Sequence, residues 1–123
     1  MLEPGKLSYT AEIDASLEGM QRVVKGLIEP FYPFEEQVCI VCNDEGKING
    51  MPLNRAVYDE DRTMIDIIAG PAFICDCRGE DFDSLSDEQI ARYKKQFRYP
   101  EIFMREGDEI KAFFVKPDRE NER

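Results

Sequence analysis

The chain predicts an α+β domain: a mostly antiparallel sheet of about five strands with two helices packed on it. Three observations point there. Short runs of alternating or continuous apolar residues recur between glycine, proline and acidic turns, as strands require. Two segments carry helical apolar spacing behind capping residues. The connections are short, and the order reads β-α-β-β-β-β-α-β.

Lys6 to Ile13 alternates strictly, with Leu7, Tyr9, Ala11 and Ile13 on one face and Ser8, Thr10 and Glu12 on the other. A half-buried strand is expected there. Asp14 stands as N-cap of the first helix, whose stripe is Leu17, Met20, Val24 and Leu27 with Val23 beside it. Gly26 is placed to end it. Gly19 inside it costs up to about 1 kcal/mol relative to alanine, so the helix depends on packing. Pro30 and Pro33 exclude a central strand from Ile28 to Phe34, leaving an edge strand or an extended arm. Its aromatics Phe31, Tyr32 and Phe34 are expected to cover one end of the core. Gln37 to Cys42 is apolar on both faces, as a central strand is. Asp44-Glu45-Gly46 is expected to reverse the chain into a hairpin that returns along Lys47 to Leu53.

Tyr58 to Arg62 reads as a polar loop. Met64 to Ala69 and Ala72 to Cys77 are further strands, with a turn or bulge at Gly70-Pro71. Arg78 to Ser84 is an acidic loop. The second helix has the clearest local signature. Ser86 caps it, Gln89 completes a capping box, and Leu85 and Ile90 sit at the staple positions. Ile90, Tyr93 and Phe97 form its buried stripe, Lys94, Lys95 and Arg98 suit the dipole of its last turn, and Tyr99-Pro100 stops it. Asp108 to Val115 is the last strand. One domain over 1–123 is expected, with an ordered core over 6–116 and a charged tail over 117–123.

With 26 acidic and 16 basic residues the net charge is -10. That opposes direct binding to nucleic acid or to an anionic membrane and favours a basic partner. No apolar run approaches the roughly 20 residues that span a bilayer, and the first residues lack the features of a signal peptide, so a cytoplasmic location is expected.

Histidine is absent, which removes the commonest general base and metal ligand. Cys39 and Cys42 have the spacing of half a zinc knuckle, with Cys75 and Cys77 as a second half. On a strand, side chains three apart point to opposite faces, so Cys39 and Cys42 cannot face one metal. A reactive CxxC meets the same objection, because it belongs at a helix start. The cysteines are expected to be small buried hydrophobes in reduced form, with no metal and no cofactor. Cys75 and Cys77 share a face, which leaves a weaker two-cysteine site open. The carboxylates at Asp59-Glu60-Asp61 and from Asp76 to Glu88 lack the spacing of a calcium loop and read as solvated loops. No nucleophile elbow, phosphate loop or dinucleotide fingerprint occurs, and no catalytic residue is assigned.

The densest segment runs from Asn43 to Arg55. Glycine frees the backbone at Gly46 and Gly50, Pro52 fixes it, and Asn54-Arg55 adds many hydrogen-bond donors. Arginine offers a rigid fork for carboxylate or phosphate. The competing reading is structural: Asn54 closes a turn and Arg55 pairs with Asp44, Glu45 or Asp66.

These residues resemble the domain of unknown function 3846 family. The carriers are Gly26-Leu27-Ile28-Glu29, the strand Val38-Cys39-Ile40-Val41, the turn Asn43 to Lys47, the run Gly50 to Arg55, and Asp66 to Ile74. The likeness extends from Ile13 to Ile74, and the second helix falls outside it. It implies a setting in bacteria, plasmids, phages and conjugative elements, at times beside antirestriction-type domains. It also carries over Gly46, Asn54, Arg55, Asp66 and Gly70 as candidate binding residues, and treats the positions of Cys39 and Cys42 as simply hydrophobic.

Three functions are therefore expected, in descending order. The first is a small acidic protein-binding accessory module of a bacterial mobile element, acting through Gly46 to Arg55 and the acidic loops. The second is a DNA mimic that inhibits a DNA-binding enzyme, a reading that 16 interspersed basic residues weaken. An enzyme acting on small acidic or nucleotide ligands comes last. An exposed edge near Ile28 to Phe34 would permit a homodimer by strand addition.

Overall fold

The computed structural model describes residues 1–116; the tail expected over 117–123 lies outside the described residues. In chain order the elements are α1 (Leu17–Val24), β1 (Ile28–Phe31), β2 (Val38–Asn43), β3 (Leu53–Tyr58), β4 (Met64–Ala69), β5 (Phe73–Asp76), α2 (Asp87–Gln96), β6 (Glu101–Glu106) and β7 (Glu109–Phe114). Among the described residues this is an α+β fold of two helices and seven strands. The strands do not form one five-stranded sheet. They form three small antiparallel ones, β1-β2-β5, β3-β4 and β6-β7.

β2 is buried along its whole length because both of its faces are covered. Val38, Ile40 and Cys42 join Leu2, Val57, Ile68, Ala72, Tyr93 and Phe97 in one cluster. Cys39 and Val41 point the other way, to Met20, Val24, Phe73 and Cys75. Phe31 and Phe34 pack on the first cluster, Phe34 with its ring 4.7 Å from that of Tyr93. Tyr32 stays exposed.

Four expectations are corrected. Lys6 to Ile13 is not a strand, and its burial does not alternate as expected: Ser8 is buried, Tyr9 and Ala11 are exposed, and only Leu7 and Ile13 of the apolar face are half-buried. The arm spends its backbone on irregular partners instead, with Ser8 N donating to Arg98 O at 3.0 Å and Tyr9 N to Met1 O at 3.2 Å. Second, Ser16 rather than Asp14 caps α1; Asp14 Oδ1 accepts from the Ser16 amide. The left-handed residue at its end is Lys25, and Leu17 and Leu27 are exposed. Gly26 serves a close approach, since a Cβ there would lie 2.6 Å from Asn43 Nδ2.

Third, the chain does not return along β2 after the acidic turn. Asn49 N donates to Glu45 O and Met51 N to Gly46 O, which coils this segment into consecutive turns. Asn43 ties its start to the end of α1: Oδ1 accepts from Glu45 N, while Nδ2 donates to Val24 O and Lys25 O. Fourth, β3 and β6 were not legible as strands. Asn54-Arg55 interrupts the apolar pattern of β3, and Glu101, Arg105 and Glu106 interrupt that of β6.

The second helix starts where expected, and of its expected buried stripe only Ile90 is half-buried. Ser86 Oγ accepts from Gln89 N, Gln89 returns the bond to Ser86 N, and Tyr93 and Phe97 are buried. Ser86→Ala is expected to cost about 1 kcal/mol in urea unfolding followed by far-UV circular dichroism. Gly19→Ala should also destabilise, against its gain in helix propensity, because the new Cβ would sit 2.6 Å from Asp14 O.

Candidate functional site

The five candidate residues separate into two places. Asn54, Arg55 and Gly70 lie inside the protein, and Gly46 and Asp66 line a surface cleft.

The interior group depends on an irregularity in β3. The register against β4 shifts between Leu53 and Arg55, so the ladder breaks at Asn54 and both polar residues turn inward. Asn54 and Arg55 are each 0% exposed. Asn54 Nδ2 donates to Leu2 O and to Gly70 O, both at 2.9 Å. Arg55 Nε donates to Phe97 O at 3.1 Å, Nη2 to Lys6 O at 2.6 Å, and Nη1 to Asn54 Oδ1 at 2.8 Å and Glu3 O at 3.3 Å. The guanidinium thus binds main-chain carbonyls of the N-terminal arm and of the end of α2, not the carboxylates of Asp44, Glu45 or Asp66.

Burial lowers the Arg55 pKa, and the nearby Glu101 carboxylate opposes that shift. Glu101 is itself buried, with Oε1 accepting from Ala56 N at 3.2 Å. Burial raises its pKa, against the Ala56 hydrogen bond and the charge of Arg55. This arrangement holds β3 to β6, the arm and α2. Gly70 belongs with it for a steric reason: its φ is +79°, and a Cβ would meet Met51 Sδ at 2.6 Å.

The cleft has a volume of about 200 Å³ and lies between β1, the turns after β2, and β4. Glu29, Asp44, Glu45, Lys47 and Asp66 are its charged lining near Gly46. Gly46 lets the turns press onto β4, since a Cβ there would be 2.7 Å from Ala69 O. Lys47 Nζ pairs with Asp66 Oδ1. A hydrogen bond to Asp44 is the main cause of a raised Glu29 pKa; burial and the charges of Asp44 and Asp66 add to it, and Lys47 opposes it. The Asp44 carboxylate beside it thus makes Glu29 a weaker acid than usual. Cys42 also lines this cleft, with its thiol pushed up to about 11 by burial and by Glu29 and Asp66, so it is a poor nucleophile.

Cys39 and Cys42 do point to opposite faces of β2. Among the described residues no group of three or more Cys, Asp or Glu side chains is placed to hold a metal ion, and no helix is long and apolar enough to cross a membrane. A second cavity, about 220 Å³, lies under the N-terminal arm between Tyr9, Ile13, Phe73, Cys75, Leu85 and Tyr93, and holds none of the candidates. Sequence reasoning did not single out Glu29, Lys47 or Glu101 as site residues. Lys47 and Glu29 lay within segments already marked, whereas nothing local distinguishes Glu101.

The fold and the site define a small α+β domain with a buried arginine clamp and an acidic cleft. The family model described as Domain of unknown function (DUF3846) matches residues 1–98, and the chain belongs to that family. The match is wider than Ile13 to Ile74: it takes in the arm and α2 and ends before β6. No curated protein and no solved structure matches the chain.

Arg55→Ala is expected to destabilise by about 3–5 kcal/mol in urea unfolding, because it strands buried carbonyls and leaves Glu101 without its neighbouring cation. Arg55→Lys should recover only part, since an ammonium cannot reproduce the fork. Glu101→Gln should change the pH profile. The raised pKa of Glu101 adds stability that is complete below its ordinary value and is lost as pH rises through the raised one. Stability measured from pH 4 to pH 8 should therefore fall less steeply with rising pH in the variant than in the wild type.

Proposed function

We propose that the protein is a binding module that takes a lysine or arginine side chain of a partner protein into its acidic cleft. The observation that carries this reading is the Glu29–Asp44 pair beside Asp66. Carboxylates placed this close repel one another, and an ammonium or guanidinium group between them relieves that repulsion with charge-assisted hydrogen bonds. Size supports the same occupant: about 200 Å³ falls below the 300–1,000 Å³ typical of sites for drug-sized ligands and suits a single side chain. The net charge of -10 would steer a basic partner toward the protein. Gly46 and Asp66 shape and line the cleft, while Asn54, Arg55 and Gly70 hold the scaffold behind it. An accessory role in a bacterial mobile element is part of this proposal.

The test is isothermal titration with short peptides that carry arginine, lysine or glutamine at one position. Binding of the basic peptides alone is expected, weakened roughly tenfold by Glu29→Gln or Asp44→Asn, a loss of about 1.4 kcal/mol. Affinity should rise with pH as Glu29 gives up its proton through its raised pKa, and fall with added salt. Binding indifferent to these variants would remove the cleft from the interaction. Salt-dependent binding to a DNA-processing enzyme that survives both variants would favour mimicry of DNA by the wider acidic surface.

A further inference from the structure

The pairing of β2 with β5 sets Cys39 directly opposite Cys75. Their sulfurs are 3.8 Å apart. Directly opposed residues of antiparallel strands have Cα atoms about 4.5–5.5 Å apart, inside the 4.4–6.8 Å that a disulfide spans. Bond formation there needs side-chain rotation and little movement of the backbone. The other two cysteines are placed differently. Cys42 is on the opposite face, with its thiol donating to Glu29 O at 3.5 Å. Cys77 shares the face of Cys39 and Cys75 but lies beyond the last paired residue of β5 and is half-buried.

The two opposed sulfurs differ in access. Cys75 lines the cavity of about 220 Å³ beneath the N-terminal arm, which admits a molecule the size of hydrogen peroxide. Cys39 is fully buried behind it. We propose that Cys39 and Cys75 form an oxidisable dithiol, a modification site at which a small hydroperoxide produces a cross-strand disulfide. The Cys75 sulfur attacks the peroxide oxygen and loses its proton; the O–O bond breaks, and a sulfenic acid and water form. The Cys39 sulfur then attacks that sulfenic sulfur and loses its own proton, and the hydroxyl group leaves as a second water. Two thiols are oxidised by two electrons in all, and one peroxide is reduced to two waters. The contact with Cys75, followed by burial, pushes the Cys39 thiol far above its ordinary value. The second step therefore runs through a scarce thiolate, and the reaction is slow, on a scale of minutes to hours. The bond would close the chain from Cys39 to Cys75 into a loop that contains the turns after β2, β3 and β4. It does not depend on what the acidic cleft binds.

The experiment treats the folded full-length chain with millimolar hydrogen peroxide and quenches with catalase. Remaining thiols are blocked with N-ethylmaleimide in denaturant, and peptides are mapped by mass spectrometry without reductant. The expected product is a monomer lighter by two hydrogens, with a Cys39–Cys75 linked peptide and with Cys42 and Cys77 labelled. Cys77→Ser should leave that link intact, and dithiothreitol should reverse it. Thermal unfolding of the oxidised monomer should shift upward. A Cys39–Cys77 link, any link to Cys42, a disulfide only between chains, or oxygen addition at Cys77 with no link would each overturn the proposal. So would four labelled thiols after prolonged exposure. Mapping the wild-type chain settles the pairing even where a serine variant folds poorly.

Discussion

The buried guanidinium of Arg55 is the constraint around which the rest of this structure is arranged. It has no exposed surface, and its donors reach carbonyls at residues 3, 6 and 97. Those groups belong to segments with no ladder of their own to join. Without the arginine, the carbonyls of Lys6 and Phe97 would lose the donor it supplies. Asn54 extends the arrangement to Leu2 and Gly70. The partners all lie within residues 1–98, which is also the extent of the family match. The hairpin β6–β7 lies beyond that match and is tied to β3 through Glu101 and Ala56.

What could be read from the sequence was local. Ser86 and Gln89 face each other across one helical turn, so the start of α2 is encoded within four residues. β2 declares itself by being apolar from Val38 to Cys42, and the opposed faces of Cys39 and Cys42 follow from strand geometry alone. Non-local features were hidden. The arm from Lys6 to Ile13 alternates like a strand, but alternation specifies only which residues could share a face, not that a neighbouring strand exists to pair with. The Asn54-Arg55 pair was conspicuous as polar residues among turn formers. Its burial depends on carbonyls supplied from more than 40 residues away, which no spacing rule reports. Gly46 and Gly70 were legible as special positions; the reasons, contacts with Ala69 O and Met51 Sδ, were not.

The two halves of the candidate set use charge in opposite ways. Arg55 sits where water is excluded, and its bonds are directed to dipoles that cannot move, which makes it a fixed part of the frame. Glu29, Asp44, Lys47 and Asp66 line an open cleft, where their charges meet solvent. A dry interior and a charged surface therefore meet across β3 and β4. The turns after β2 are held between them by Asn43 on one side and by the contact of Gly46 with β4 on the other.

The clamp also has a bearing on how this chain can change over generations. Arg55 and Asn54 hold the N-terminal arm by its carbonyl oxygens, and every amino acid carries one. The path of the arm is therefore dictated from β3, while the side chains along much of it answer to other demands or to none. Substitutions at Glu3 or Lys6 would leave the grip untouched, whereas a change at either clamping residue would leave the segment to its remaining bonds, those of Leu2 with Ala72 and of Ser8 with Arg98. Sequence drift in this protein should be absorbed by the segment that is held and refused by the two residues that hold it.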